Sequence, residues 1–172
     1  LQGAQVQPVR GGIREPAIMW FPGRIPAGQV VGQPGAAMDI FPTLLRLAGG
    51  DPRQYELDGL DVGPMVTQGA PSPHNDIFWE MGEQTAVRRG HWKLTLKGQL
   101  VEGAPPEDDV HLVDLAADPG ERVNLAAVQP QLADELVAAA RAWRAGIEAR
   151  WQREFLPLGG VTSHPYADKV KG

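Results

Sequence analysis

The chain has 172 residues, of which 42% are hydrophobic and 22% are charged, a composition typical of a globular protein with a sizeable core. Its net charge of −5 argues against nucleic-acid binding, and no apolar run approaches the roughly 20 residues that a membrane-spanning helix needs. The sequence has no cysteine, which excludes disulfides, thiolate nucleophiles and cysteine-based metal sites within these residues.

The N-terminal part of the chain predicts a strand followed by a helix. The apolar run at 15–21 is typical of a strand buried on both faces of a parallel sheet. Residues 38–50 predict a helix with Asp39 as its N-cap, and one further helical turn is expected near Met65. The apolar positions at helical spacing in the longer helix are Ile40, Leu44 and Leu47. A strand that is buried on both faces needs neighbouring strands on both edges, and residues 1–70 contain few other strand candidates.

The middle of the chain predicts a small antiparallel sheet. Its four strands are expected at 76–80, 85–90, 91–97 and 110–115. The third strand alternates, and its apolar face carries Trp92, Leu94 and Leu96. Its other face, predicted to be wet, carries His91, Lys93, Thr95 and Lys97.

A long amphipathic helix is expected after the sheet, with Pro130 in its first turn. One face of this helix is an apolar stripe made of Leu132, Leu136, Ala140, Trp143, Ile147 and Trp151. The stripe predicts that its two tryptophans are core residues rather than a platform for a sugar ring.

Four stretches of this sequence resemble the sulfatase family, specifically the C-terminal third of arylsulfatase-type enzymes. They are "GGIREPAIMWFPGRIPAG" at 11–28, "MDIFPTLLRLAG" at 38–49, "LDGLDVGPMV" at 57–66, and "AVRRGHWKLTL" with "HLVDLAADPGERVNLA" at 86–96 and 111–126. Their order and spacing agree with the family over roughly 1–155, which is a far more specific signal than one motif.

The resemblance implies an α/β fold of the alkaline-phosphatase-like type for the parent enzyme, with α+β character in the C-terminal part. Residues 1–70 would be the end of the large sulfatase domain. Residues 71–156 would be the C-terminal subdomain, an antiparallel sheet packed against a long helix, and residues 157–172 an irregular tail.

The resemblance also implies a chemistry that this chain does not carry by itself. Sulfatases use formylglycine, made from Cys or Ser in a Cys/Ser-x-Pro-x-Arg motif, together with Ca²⁺ held by several oxygen ligands. That motif is absent from these 172 residues, and Ser72-Pro73 lacks its spacing. The acidic run at 107–109 is interpreted as a solvated loop rather than a calcium site. We therefore expect no cofactor in this chain and no sulfatase activity from it alone.

Two residues are candidate site residues on the strength of the resemblance. Gln5 stands where the family often has a catalytic lysine that binds the sulfate, so that a hydrogen-bond donor without charge would replace a cation. The alternative is that the first ten residues diverge from the family segment or begin in an unrelated reading frame. His111 lies next to the acidic run, where family members can line the substrate mouth, and is a candidate substrate-binding residue.

The other histidines and one charged pair have structural interpretations. His91 is expected to be exposed on a strand, and His74 and His164 lie in loops without a partner at metal-ligand spacing. Arg14 and Glu15 are predicted to form a structural salt bridge.

Three functional hypotheses follow from these observations. The first is a C-terminal fragment of an arylsulfatase-like hydrolase that contributes scaffold and pocket rim, the parent acting on a small sulfate ester or a sulfated glycan. The second is a non-catalytic interaction module that docks by strand addition on a partner chain carrying the formylglycine and calcium domain. The third is a phosphoesterase of the same superfamily. The parent family is often periplasmic, secreted or lysosomal, and the compartment of this chain is left open.

Overall fold

A computed structural model of the chain describes residues 13–98 and 108–158. The chain divides into two compact units. We call Pro16–Ile77 the helical unit, and we call Leu1–Glu15 together with Phe78–Gly172 the sheet unit. No helix in the described ranges is both long and apolar enough to cross a bilayer.

The sheet unit is built on a four-stranded sheet of order β1-β2-β3-β4. The strands are β1 (Ile77–Met81), β2 (Gln84–Arg89), β3 (Trp92–Leu96) and β4 (Val110–Asp114). β2 pairs antiparallel with β3, and β3 pairs antiparallel with β4. Gly90, at φ +59°, opens the two-residue turn between β2 and β3, where a side chain would be strained. All four predicted strands are confirmed within one or two residues.

One long helix, α3 (Pro130–Arg150), covers the sheet. The shared core contains Val87, Leu94, Leu112, Ala133, Leu136 and Ala140. Further along the helix, the Trp143 ring stacks on the Phe78 ring with centroids 5.2 Å apart. The prediction of a small antiparallel sheet packed against a long helix is therefore confirmed, and Trp143 packs against the sheet as its place in the stripe predicts.

The prediction that one face of β3 is exposed to solvent is wrong. Lys93 is only 1% exposed and Thr95 only 4% exposed, although both alternate with the apolar residues that face the helix. Because the segment after β4 returns to this face and places Glu121 against Lys93, both faces of the strand are covered. His91, at the turn, is exposed as predicted.

The helical unit contains two short α-helices and two 3-10 turns. The helices are α1 (Ile40–Leu47) and α2 (Gly63–Gln68), and the 3-10 turns are Ala37–Asp39 and Pro52–Gln54. α1 lies inside the predicted range 38–50, and α2 is the turn expected near Met65. The strand predicted at 15–21 is wrong, since residues 14–21 have no regular structure. The physical reason is that a two-sided strand needs flanking strands, and the helical unit contributes none to it among its described residues.

We predict that Leu136→Ala lowers the free energy of unfolding of the sheet unit by about 2–5 kcal/mol, because Leu136 is fully buried and truncation leaves a cavity in the core. Urea unfolding followed by tryptophan fluorescence measures this change, since Trp79, Trp92, Trp143 and Trp151 all lie in the sheet unit. Val128→Ala is the control, because Val128 is 69% exposed. Equal losses in the two variants would contradict the assigned core.

Candidate functional site

Two buried charges of the sheet unit form an ion pair. The Lys93 ammonium donates from Nζ to Glu121 Oε2 at 2.7 Å, and the two side chains are 1% and 5% exposed. Lys93 is the second residue of β3, whereas Glu121 comes from the segment that follows β4. Removing either charge would leave the other uncompensated in a low-dielectric interior, so the pair holds the segment against the strand.

The backbone of Glu121 is in an uncommon conformation. Its φ of +58° is in the left-handed region, where a residue other than glycine is disfavoured. The Glu121 N–H donates to the Asp118 carbonyl at 3.1 Å, and the Glu121 carbonyl lies 3.1 Å from His111 Nε2. The surrounding contacts thus maintain a turn that directs the Glu121 carboxylate inward.

The imidazole of His111 lies between two acceptors. Nε2 faces the Glu121 carbonyl, and Nδ1 lies 3.2 Å from Asp108 Oδ2. Because a carbonyl and a carboxylate both accept, both contacts are hydrogen bonds only when each ring nitrogen carries a proton. The His111 side chain is 4% exposed, so this arrangement supports a structural role. Its predicted contact with substrate stays a prediction.

The side chain of Asn124 joins this network to β4. Its amide nitrogen donates to Asp108 Oδ2 at 2.8 Å and to the Val110 carbonyl at 2.9 Å. Its amide oxygen accepts from the N–H groups of Leu112 at 3.1 Å and Ala126 at 3.0 Å. The Asn124 hydrogen bond, followed by that from His111, lowers the pKa of Asp108 below its ordinary value of 3.8. Asp108 therefore has hydrogen-bond partners within the chain although its side chain is 31% exposed, and Asp109 is exposed as expected of a solvated loop.

The carboxylate of Asp118 closes the turn that contains Glu121. Asp118 Oδ2 accepts from the N–H groups of Arg122 at 2.6 Å and Val123 at 2.8 Å, and Oδ1 accepts from that of Gly120 at 3.2 Å. The side chains of Asp118, Glu121 and Asn124 in "DPGERVN" therefore bond to the chain itself. We call the set Lys93, Asp108, His111, Asp118, Glu121 and Asn124 the polar brace.

The helical unit has its own buried polar centre at Asp39. Asp39 Oδ2 lies 2.8 Å from His74 Nε2 and accepts from the Ala36 N–H at 2.7 Å, while Oδ1 accepts from the Leu60 N–H at 2.8 Å. The side chains of Asp39 and His74 are 2% and 5% exposed. Asp39 precedes α1 at the predicted N-cap position but makes no side-chain cap bond to the helix. Instead, it connects three separate segments of the unit.

This centre does not have the geometry of a nucleophile and its base. The Ser72 hydroxyl donates to the Pro34 carbonyl at 2.8 Å and accepts from the backbone N–H of His74 at 3.3 Å, so it does not bond to the imidazole. A serine activated by a histidine requires a hydrogen bond between hydroxyl and ring nitrogen. Sequence reasoning missed the pairing of His74 with Asp39 because 35 residues separate them.

Neither cluster forms a metal centre. Within residues 13–98 and 108–158, no group of three or more histidines and carboxylates is arranged to hold a metal ion. The carboxylates of Asp39, Asp108 and Asp118 accept hydrogen bonds from the chain itself, and that of Glu121 is paired with Lys93. Gln5 and His164 lie outside the described residues, so the Gln5 assignment stays a prediction.

Comparisons with known proteins agree on one family, the sulfatases. The family model described as Sulfatase matches residues 1–50. N-acetylgalactosamine-6-sulfatase of Sus scrofa is 33% identical over 150 residues, which cover 73% of this chain and 29% of that protein. Arylsulfatase A of Bos taurus is 30% identical over 151 residues, covering 76% of this chain and 30% of that protein. The chain thus spans under a third of these relatives' length.

A solved structure shows the same fold. The crystal structure of Ps i-CgsB matches with a TM-score of 0.57 and 23% identity, over 72% of this chain and 27% of that chain. The expected mixed α/β fold of the alkaline-phosphatase-like type is confirmed.

We predict that Lys93→Met costs about 3–5 kcal/mol of unfolding free energy, because it leaves the Glu121 carboxylate buried without its cation. The double variant Lys93→Met with Glu121→Leu should recover much of that loss, since it removes both charges. Urea unfolding measures both variants, and Lys97→Met, at an exposed lysine at the end of the same strand, is the control. A double variant as unstable as the sum of the two single variants would contradict the proposed coupling.

We predict that the contribution of Asp108 to the free energy of unfolding depends on pH. Because its folded-state pKa is lowered, the stability that it contributes is fully present above its ordinary pKa of 3.8 and is lost as pH falls through the lowered value. The stability difference between wild type and Asp108→Asn should therefore shrink as unfolding is measured from about pH 7 down to about pH 3. Asp109→Asn, at an exposed neighbouring carboxylate, is the control. A constant difference across that range would refute the assignment.

Proposed function

Since this chain belongs to the sulfatase family, we propose that it is the C-terminal portion of an arylsulfatase-like sulfuric ester hydrolase. In that enzyme it contributes scaffold and the rim of the substrate pocket. The observation that carries the proposal is the 150-residue match to a sulfatase, which covers 73% of this chain but 29% of the relative.

The chain is catalytically incomplete under this proposal. Its sequence holds no cysteine and no Ser-x-Pro-x-Arg motif from which formylglycine could form. In the described part of the chain, the buried carboxylates of Asp39 and Glu121 are engaged with other protein groups, and no cluster supplies the six or more oxygen ligands that Ca²⁺ takes. The nucleophile and the cation ligands of the parent enzyme would come from the part of the fold that this chain does not span.

The proposed domain boundaries follow the family. Residues 1–70 belong to the large domain, residues 71–156 to the C-terminal subdomain and residues 157–172 to a tail. The parent's substrate is a sulfate ester, and the name of one relative, N-acetylgalactosamine-6-sulfatase, favours a sulfated sugar. Within the pocket, Gln5 would stand at the sulfate-binding position and His111 near the rim.

A second candidate function is a non-catalytic module that docks on a partner carrying the formylglycine and calcium domain. The exposed apolar side chains of the helical unit favour it, because Ile18 is 95% exposed and Trp20 is 84% exposed. Both candidates require the same missing domain, and they differ in whether the assembled protein hydrolyses sulfate esters.

We predict that the purified 172-residue chain with added Ca²⁺ releases no nitrocatechol from nitrocatechol sulfate above the buffer rate, because the groups that attack sulfur are not in it. The assay is the absorbance of the released phenol. Bovine arylsulfatase A, assayed in parallel, is the positive control. Turnover that co-purifies with the chain and scales with its concentration would show that the chain is an enzyme by itself.

A further inference from the structure

Strand β4 is an edge strand of the sheet, and its outer edge carries backbone groups that do not bond to β3. The Lys97 N–H donates to the Asp109 carbonyl at 3.0 Å, so the backbone of Asp109 faces β3. Because an antiparallel ladder bonds every second residue to the neighbouring strand, the backbone groups of Val110, Leu112 and Asp114 point away from β3. These are the groups that a further strand would use to extend the sheet.

The side chain of Asn124 occupies the centre of this outer edge. Its amide oxygen accepts from the Leu112 N–H at 3.1 Å, and its amide nitrogen donates to the Val110 carbonyl at 2.9 Å. Beside it, the Leu125 N–H donates to the Leu112 carbonyl at 2.7 Å. A primary amide offers a donor and an acceptor, as a peptide group does. The Asn124 side chain therefore presents to β4 the same pair of groups that the backbone of an added strand would present.

The strand under this cover has a composition that favours pairing with other strands. The run "VHLVDL" at 110–115 contains four aliphatic residues, one carboxylate, and neither proline nor glycine. Open edges of strands with this character are sites of association between chains. The edge is also self-complementary, because an antiparallel pair of two copies centred on Leu112 sets Val110 of one copy opposite Asp114 of the other. No like charges meet in that arrangement.

We propose that Asn124 is an edge guard, a side chain that keeps β4 from pairing with β4 of a second copy of this chain. The polar brace holds the guard in place. Asp108 Oδ2 accepts from the Asn124 amide nitrogen at 2.8 Å, and the Ala126 N–H donates to the amide oxygen at 3.0 Å. Two acceptors on one side of the amide and two donors on the other fix its orientation, so that its oxygen faces the Leu112 N–H. The inference is independent of the proposed function.

The test measures hydrogen–deuterium exchange of the Leu112 amide in the complete 172-residue chain, at a low and a high chain concentration. In the wild type, exchange should not depend on concentration, because Asn124 is the partner of this amide. Asn124→Ala removes that partner, and the amide should exchange about tenfold faster in dilute solution. Raising the concentration of this variant about a hundredfold should restore the protection by mass action, as β4 pairs with a second copy. Light scattering should show a dimer fraction that rises above that of the wild type.

A second substitution tests whether the association uses the edge of β4. Val110 is the first residue of β4 and its N–H points away from β3, so Val110→Pro removes a bond that an added strand would use and none that β3 uses. The double variant Asn124→Ala with Val110→Pro should therefore associate no more than the wild type. Its Leu112 amide should exchange quickly at both concentrations.

Two further variants separate edge pairing from loss of stability. Leu136→Ala is the matched control, because Leu136 is a fully buried core residue of α3 and its truncation destabilises the sheet unit without uncovering β4. It should associate no more than the wild type. Asn124→Ser is the milder variant, since its short side chain cannot reach both Val110 and Leu112, and it should show the same concentration dependence where Asn124→Ala does not fold.

The proposal would be overturned by exchange of the Leu112 amide in Asn124→Ala that is as slow as in the wild type or does not respond to concentration. It would also be overturned if Leu136→Ala associated as strongly as Asn124→Ala, or if adding Val110→Pro left the association unchanged, because another surface or partial unfolding would then be the cause. Failure of both Asn124 variants to fold in dilute solution would make Asn124 a folding residue instead of an edge guard. Protection that returns at high concentration and is abolished by Val110→Pro supports the proposal.

Discussion

The Lys93 ammonium lies in the interior of the sheet unit, and the Glu121 carboxylate 2.7 Å away compensates its charge there. This pair requires that the segment after β4 return across the sheet, and that return covers the face that α3 leaves open. The rest of the polar brace follows from the same requirement, because Asp118 shapes the turn and Asn124 ties it to β4. A four-stranded sheet with one helix would otherwise have a solvated second face.

The helical unit is organised by the same physical principle with different groups. The Asp39 carboxylate accepts hydrogen bonds from two backbone N–H groups and contacts the His74 ring, and so connects three segments of the unit. A buried carboxylate is stable only when its oxygens are hydrogen-bonded. The unit buries Val62 and Met65 beside this polar centre, while Ile18 and Trp20 are exposed.

For function, the main consequence is that the residues that carry the family resemblance in the sheet unit are engaged in holding its fold. Lys93, His111 and Glu121 each have partners within the chain. Under the proposed function, this chain contributes scaffold and the rest of the enzyme contributes the catalytic groups. This division agrees with a match that covers less than a third of the relatives.

The sequence by itself determined the four strands, the long helix with its core residue Leu136, and the family, because periodicity and motif spacing are local properties. It misjudged Lys93 as solvent-exposed, since alternation shows which residues share a face but not what covers that face. It also left Asp39 and His74 unconnected, because a hydrogen bond between residues 35 positions apart has no local signal. Only the tertiary structure decided these points, since burial depends on which distant segments return to a surface.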